Sequence, residues 1–228
     1  MSVLQQQIAM ITQVATALDD LLDEVVFVGG CVTGLLVNDA FTLEQVRFTE
    51  DVDLIVNVIT HSDWRGLQNQ LRKRGFKEDM TDTVICRMNL GNLKVDIMPI
   101  DKDILGFSNQ WYKDAMKNPL IYEINPNLSV NIVSPVYYIA TKIDAYLGRG
   151  KGDLLVSHDI EDLITLFDGR TEIISEYLNA SDKVKSYIAK QLNYLMLDDS
   201  FEYVIQGVAR NDVQRERLII ERIEKCIK

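Results

Sequence analysis

"RFTEDVDLIV", residues 47–56, sets two carboxylates inside an apolar run. Leu54-Ile55-Val56 reads as a buried strand. Strand side chains alternate between faces, so Asp51 and Asp53 share one face, joined by Arg47 and Thr49. Burying an unpaired carboxylate costs several kcal/mol, comparable with the whole stability of a small domain. A cationic partner is therefore expected at that face.

Working outward, residues 3–22 carry Ile8, Ile11, Val14, Leu18 and Leu21 at helical spacing. "VVFV" (25–28) is a short strand running into Gly29-Gly30, and "CVTGLLVND" (31–39) reads as the start of a helix. "DAFTLEQ" (39–45) reads as a polar loop leading to the opening strand. Downstream, "SDWRGLQNQLRKRG" (62–75) predicts a helix with Ser62 as N-cap, Trp64, Leu67 and Leu71 as its core stripe, and Gly75 as its stop. "TVICRMNLGNLKVDIMPID" (83–101) predicts a hairpin about Gly91-Asn92. Leu90 then pairs with Leu93 and Arg87 faces Asp96, while Lys94, Asp96 and Met98 share a face opposite to Leu93, Val95 and Ile97. Asp96 is thus a third carboxylate on an apolar strand, with Arg87 able to pair with it or to reach a phosphate.

Pro119, Pro126 and Pro135 mark a turn-rich stretch, after which the pattern is helical. "SPVYYIATKIDAYLGR" (134–149) carries Pro135 in its first turn, and "SHDIEDLITLFDG" (157–169) has Ser157 as N-cap and Gly169 as stop. Three more amphipathic segments follow, ending in "VQRERLIIERIEKCIK". The expected architecture is α+β: an α/β core over residues 1–118, a small mixed sheet flanked by helices, followed by a helical domain over 119–228.

Composition narrows the function classes. The chain has 228 residues, 47% hydrophobic and 25% charged, ordinary for a globular protein. Its longest mostly apolar stretch, residues 25–37, is broken by glycines and too short for a bilayer, so a cytoplasmic protein with no membrane partner is expected. Cys31, Cys86 and Cys226 have neither disulfide-framework nor zinc spacing, and His61 and His158 are too few for a histidine-rich site. A net charge of −10 argues against non-specific adhesion to a phosphate backbone. The basic run Arg65, Arg72, Lys73, Arg74 and Lys77 reads as a solvated helix face.

A strand ending in Gly-Gly, an Asp-x-Asp strand and a third Asp on a hairpin strand form a chemical constellation. Gly29-Gly30 allows a backbone to approach a ligand closely, and the following helix start suits phosphate. Mg²⁺ takes one or two carboxylates and completes its shell with water and phosphate oxygens, so Asp51 and Asp53 suit a pair of Mg²⁺ ions. Asp96 can complete one ion's site and accept the proton of an attacking hydroxyl.

These residues, "VGG…RFTEDVDLIV…LKVDIMPI", resemble the core of the DNA polymerase beta-type nucleotidyltransferase superfamily, and within it the AbiEii-type nucleotidyltransferases of type IV toxin–antitoxin pairs. The resemblance spans about residues 25–167. It rests also on the Arg47, Thr49, Asp51, Asp53 run, on Lys142, and on "HDIEDL" beginning at His158. It implies an Mg²⁺-dependent transfer of a nucleoside monophosphate from a nucleoside triphosphate, with Asp51, Asp53 and Asp96 as metal-holding and catalytic residues. Gly29, Gly30, Thr33, Arg47, Thr49, Lys142 and Asp159 would line the nucleotide site. The implied acceptor is RNA such as transfer RNA, and the implied partner a cognate antitoxin protein. Three departures stand out. Cys31 sits where a hydroxyl residue often follows the glycines, leaving Thr33 to supply that group. His158 replaces a more basic residue, and the 30–51 connection is long.

Two other functions fit the same residues. An aminoglycoside-type enzyme would use this core with a small cationic acceptor, which suits an acidic protein better than RNA does. A non-catalytic nucleotide-binding module would keep the core without needing the intact carboxylate triad.

Overall fold

The computed structural model describes residues 1–78, 84–149 and 152–228. It is a mixed α/β protein with a seven-stranded mixed sheet and a C-terminal helical region. Thr83, the first residue of the expected hairpin run, and Gly150-Lys151, beyond the Lys142 helix, lie outside the described residues. Among the described residues no helix is long and apolar enough to cross a membrane.

Helix α1 (Val3–Leu18) begins at a reciprocal cap, the Ser2 hydroxyl accepting from the Gln5 amide and the Gln5 side chain from the Ser2 amide. Strand β1 (Val25–Val28) runs into a single 3-10 turn over Gly30–Val32, followed by α2 (Thr33–Leu36) and α3 (Ala40–Leu43). The expected polar loop therefore contains a helical turn, which Asp39 caps by accepting from the Thr42 amide. Strand β2 (Asp51–Val56) begins inside the opening stretch, so Arg47 and Thr49 precede the strand instead of riding on it. Helix α4 (His61–Lys73) is capped by Thr60, not Ser62, because Thr60 reaches the Asp63 amide.

The hairpin of β4 (Arg87–Leu90) and β5 (Leu93–Pro99), preceded by β3 (Phe76–Glu78), has the expected register. Leu90 faces Leu93 and Arg87 faces Asp96, with Gly91 at φ +62° in the turn. After α5 (Lys102–Leu105) and α6 (Tyr112–Lys117), the proline-rich stretch forms a second hairpin, β6 (Pro119–Asn125) and β7 (Leu128–Val133), where only turns were expected. Pro119 opens an edge strand, where a missing N–H is tolerated, and Pro126 falls in the turn. The sheet thus continues to Val133, past the boundary expected after residue 118.

The chain divides into two compact units, Met1–Val32 with Arg47–Ser134, and Thr33–Val46 with Pro135–Lys228. The first holds the sheet, in the order β3-β4-β5-β2-β1-β7-β6. Strand β2 is parallel to β5 and antiparallel to β1, and β1 is parallel to β7. One face of the central strands is apolar: Phe27, Val52, Leu54, Val95 and Ile97 are buried. Each such side chain contributes roughly 1.5–3 kcal/mol, enough for the strands to carry polar groups on the other face. That second face is apolar at Val26 and Ile55 and polar at the opposite end of the same strands, where Asp51, Asp53, Asp96 and Arg87 lie.

The second unit is helical. Helix α7 (Pro135–Gly148) packs on α8 (His158–Gly169), which Ser157 caps at the Ile160 amide. Four helices follow where three were expected: α9 (Ile173–Leu178), α10 (Asp182–Leu195), α11 (Asp199–Val208) and α12 (Val213–Ile227). Of these, α9 has six residues and is too short to announce itself by periodicity. Gly169 is the last residue of α8 and not a left-handed stop. A Cβ there would lie 2.5 Å from Val37 and 2.7 Å from Thr42, so the glycine admits the 33–46 segment against the helix end. Its carbonyl accepts the Asn38 and Asp39 amides, both at 3.0 Å. Arg215 then ties the segment down, donating to Asp168 (2.7 Å), Asp39 (2.8 Å) and Thr42 (2.6 Å) while stacking on Phe41.

Candidate functional site

Parallel pairing of β2 with β5 puts Asp53 beside Asp96 and Asp51 beside Lys94, all pointing to the polar face. Antiparallel pairing brings Arg87 onto that face from the other side of β5. A cationic partner lies here for Asp96 and, more distantly, for Asp51. Arg87 donates through Nε to Asp96 Oδ1 at 2.7 Å and through Nη2 to Asp96 Oδ2 at 2.8 Å, with Nη2 also 3.4 Å from Asp51 Oδ2. Such a bidentate fork is among the stronger protein ion pairs. Thr49, although ahead of the strand, is buried and donates to Asp51 Oδ1 at 2.5 Å, which fixes that carboxylate's orientation. The Arg47 carbonyl accepts from the Gln7 side chain of α1, anchoring the approach to β2.

Gly29 stands against Asp53. Its φ is +73°, and a Cβ there would fall 1.8 Å from Asp53 Oδ2. Two separate constraints therefore exclude a side chain at 29: the left-handed backbone and the carboxylate lying over it. Gly29→Ala is expected to cost more stability than Gly106→Ala, which has φ +81° but nothing within 4 Å of an added Cβ. The Gly106 variant should lose about 1–2 kcal/mol from backbone strain alone, and the excess at 29 measures the Asp53 contact. Equal losses in urea titrations would refute the contact. Gly30 is buried at the start of the following turn, and the Cys31 thiol donates to the Val28 carbonyl at 3.1 Å.

Cys86, next to Arg87, is buried, and burial together with the charges of Asp96 and Asp53 pushes its thiol up to about 12. It stays protonated at neutral pH and is no ligand for a hard cation. Among the described residues, no three His, Cys, Asp or Glu side chains converge as a ready metal-ligand set. The donors nonetheless suit Mg²⁺: three carboxylates, all hard oxygens, on one face of adjacent strands, with a guanidinium now against two of them. A cavity of about 620 Å³ opens at the opposite end of β1 and β2, lined by Val25, Val56, Asn57 and Asp63, and none of the carboxylates of the triad reaches it.

The helical unit holds the remaining candidates. Lys142, 6% exposed, donates to Asp162 at 2.6 Å and to Asp159 at 3.2 Å. Burial pulls its ammonium down, but Asp162, Tyr138 and Asp159 outweigh that, and the group is held above its ordinary value. Asp159 also accepts from Arg149 at 2.5 Å, and the Arg149 side chain is 74% exposed. Arg149 is therefore the more accessible cation of the cluster. The Thr33 hydroxyl shares a 2.5 Å hydrogen bond with Tyr138, whose ring faces the Lys142 ammonium. Within its unit, each half of the constellation is brought together: Gly29, Thr49, Asp51, Asp53 and Asp96 in one, Thr33, Lys142 and Asp159 in the other. Tyr138, Arg149 and the full part played by Asp162 went unread in the sequence. The i, i+3 spacing of Asp159 and Asp162 was the available signal for a shared partner. Neither a comparison with protein-family models nor one with curated proteins yields a match for this chain.

Proposed function

We propose that this chain transfers a nucleoside monophosphate from a nucleoside triphosphate to an acceptor hydroxyl, releasing pyrophosphate. The observation that carries the reading is the register of β2 against β5, which aligns Asp53 with Asp96 and Asp51 two residues away on the same face, beside the Gly29 turn. Two Mg²⁺ ions held by Asp51, Asp53 and Asp96 would supply positive charge to the reacting phosphate and to the leaving pyrophosphate. Asp96 accepts the proton of the acceptor hydroxyl. Thr49 keeps Asp51 in its orientation, and the backbone at Gly29-Gly30 gives the triphosphate close approach. Lys142, Asp159, Arg47 and Thr33 keep in this reading the nucleotide-site roles that the resemblance implies.

For the acceptor, the net charge of −10 favours a small cationic molecule over RNA. A toxin role with an antitoxin partner is the competing reading and rests on the resemblance. The deciding experiment incubates the protein with each α-labelled nucleoside triphosphate, Mg²⁺ and either total RNA or a panel of aminoglycosides, beside an Asp51→Ala/Asp53→Ala control. Label in one acceptor pool with the wild type alone identifies the reaction. No label in any pool, with nucleotide still bound, means a non-catalytic binding module.

A further inference from the structure

Arg87 occupies the place on the carboxylate face that an incoming cation needs. It holds both oxygens of Asp96 (2.7 and 2.8 Å) and approaches one of Asp51 (3.4 Å), so a single guanidinium links β4, β5 and β2. Arginine does not lose its proton in proteins, so pH cannot switch this charge off. It can only be exchanged for another cation. The three side chains are not sealed away: Asp51 is 32% exposed, against 14% for Arg87 and 12% for Asp96. A small ion can reach the face through Asp51 without unfolding the sheet.

We infer that Arg87 is a displaceable internal counter-ion that occupies Asp96 and Asp51 when no divalent cation is there and yields Asp96 when one enters. This rests on the nucleotidyltransferase reading and adds a regulation of that site. Each Asp96 oxygen keeps a second lone pair, so the fork gives way not for want of acceptor sites but because a guanidinium and a divalent ion on one carboxylate repel at close range. Once released, the guanidinium sits beside the carboxylate face with its donors available for an anion, and a triphosphate is the anion this reading supplies. Cation and nucleotide binding are then linked: the ion frees Arg87 for the phosphates, and the phosphates stop it from returning. The wild-type protein alone should accordingly hold divalent ions weakly, and the nucleotide should tighten them.

The test titrates Mn²⁺, followed by its electron paramagnetic resonance, into the full chain without nucleotide, as wild type, Arg87→Gln, Arg87→Lys and Asp51→Asn/Asp53→Asn. Arg87→Gln is expected to bind Mn²⁺ about tenfold tighter than wild type, the size of one lost charge-assisted pair. Arg87→Lys, a cation without the fork, should fall between them and carries the titration if the glutamine variant does not fold. Removing a nearby charge would raise affinity somewhat even without displacement, so a second readout is needed. The ¹⁵N Nε–H resonance of Arg87, identified by its loss in Arg87→Lys, should move toward the solvent-exposed arginine position as Mg²⁺ saturates the wild type. A resonance that stays fixed at saturation, or variants no tighter than wild type, overturns the exchange while leaving the enzyme reading intact. If wild type, both arginine variants and the double-asparagine control all bind Mn²⁺ equally poorly, the metal reading falls and this inference falls with it.

Discussion

Asp53→Asn is expected to lower nucleotidyl transfer by about three orders of magnitude, measured as single-turnover label transfer at saturating Mg²⁺ and nucleotide. The substitution keeps side-chain shape, so the packing of the side chain over Gly29 survives. What it removes is one negative charge from a face whose proposed task is to hold positive charge against the reacting phosphate. The strand beneath is anchored by Val52, Leu54 and Ile55, each fully buried, so a thermal unfolding curve within a few degrees of wild type should accompany the lost activity. Asp96→Asn should likewise lose turnover, but it also removes the charge from the Arg87 fork and should lower stability as well. If Asp53→Asn retained more than a tenth of wild-type turnover, the carboxylate face would not be the reacting centre. Nucleotide binding unchanged in both variants, with no transfer even by the wild type, would identify a binding module.

Lys142→Met is the second large effect, and it concerns stability. The wild-type ammonium lies between Asp162 and Asp159, whose side chains are 2% and 7% exposed. Methionine fills similar space but leaves two buried carboxylates beside one another, with Arg149 remaining on Asp159. Removing one partner from a buried ionic cluster costs about 3–5 kcal/mol, which in a chain of this size corresponds to a fall in Tm of roughly 10 °C. Lys142→Met/Asp162→Asn should recover part of the loss, because the uncompensated charge goes with the partner. A loss below about 1 kcal/mol in urea titration would mean that the lysine contributes little where it lies. The pH dependence has a definite sign. Lys142 is raised in the folded state above its ordinary 10.5, so its contribution is complete below that pH and is lost as the pH climbs above it. The wild type should therefore lose part of its margin over Lys142→Met only in strongly alkaline solution, and a margin that shrank between pH 6 and 9 would contradict the pairing.

Local pattern alone carried the elements on which the candidate site is built. Alternation in residues 51–56 and 93–98 told which side chains share a face, and Gly91-Asn92 fixed the hairpin register, so the meeting of Arg87 with Asp96 was legible in the sequence. Ser157, Pro135 and the apolar spacing of residues 3–22 marked helices for equally local reasons, although α1 ends at Leu18. What the sequence could not supply was pairing between distant segments. Parallel alignment of β2 with β5 is set by how two apolar strands bury their common face, and nothing within either strand encodes its neighbour. The β6–β7 hairpin was hidden because its prolines mimic turn signals, although one sits at a strand start and one in the connecting turn. Gly169 shows the same limit. Read locally it is a stop, yet its reason is the 33–46 segment, distant in sequence, lying against the end of α8.

The opening puzzle divides along the same line. Positive charge at Asp51 and Asp53 was expected from the sequence because burying unpaired charge is costly; the structure leaves both carboxylates half-buried and brings Arg87 to Asp51 at 3.4 Å. Which charge meets them depended on tertiary structure. Lys142, a cation that the resemblance places in the nucleotide site, pairs with Asp162 and Asp159 on another helix, while Arg87 reaches Asp96 and Asp51 because β4 folds back beside β5 and β5 lies next to β2. Strand periodicity determines which way a side chain points, but only the packing of strands and helices determines what it points at.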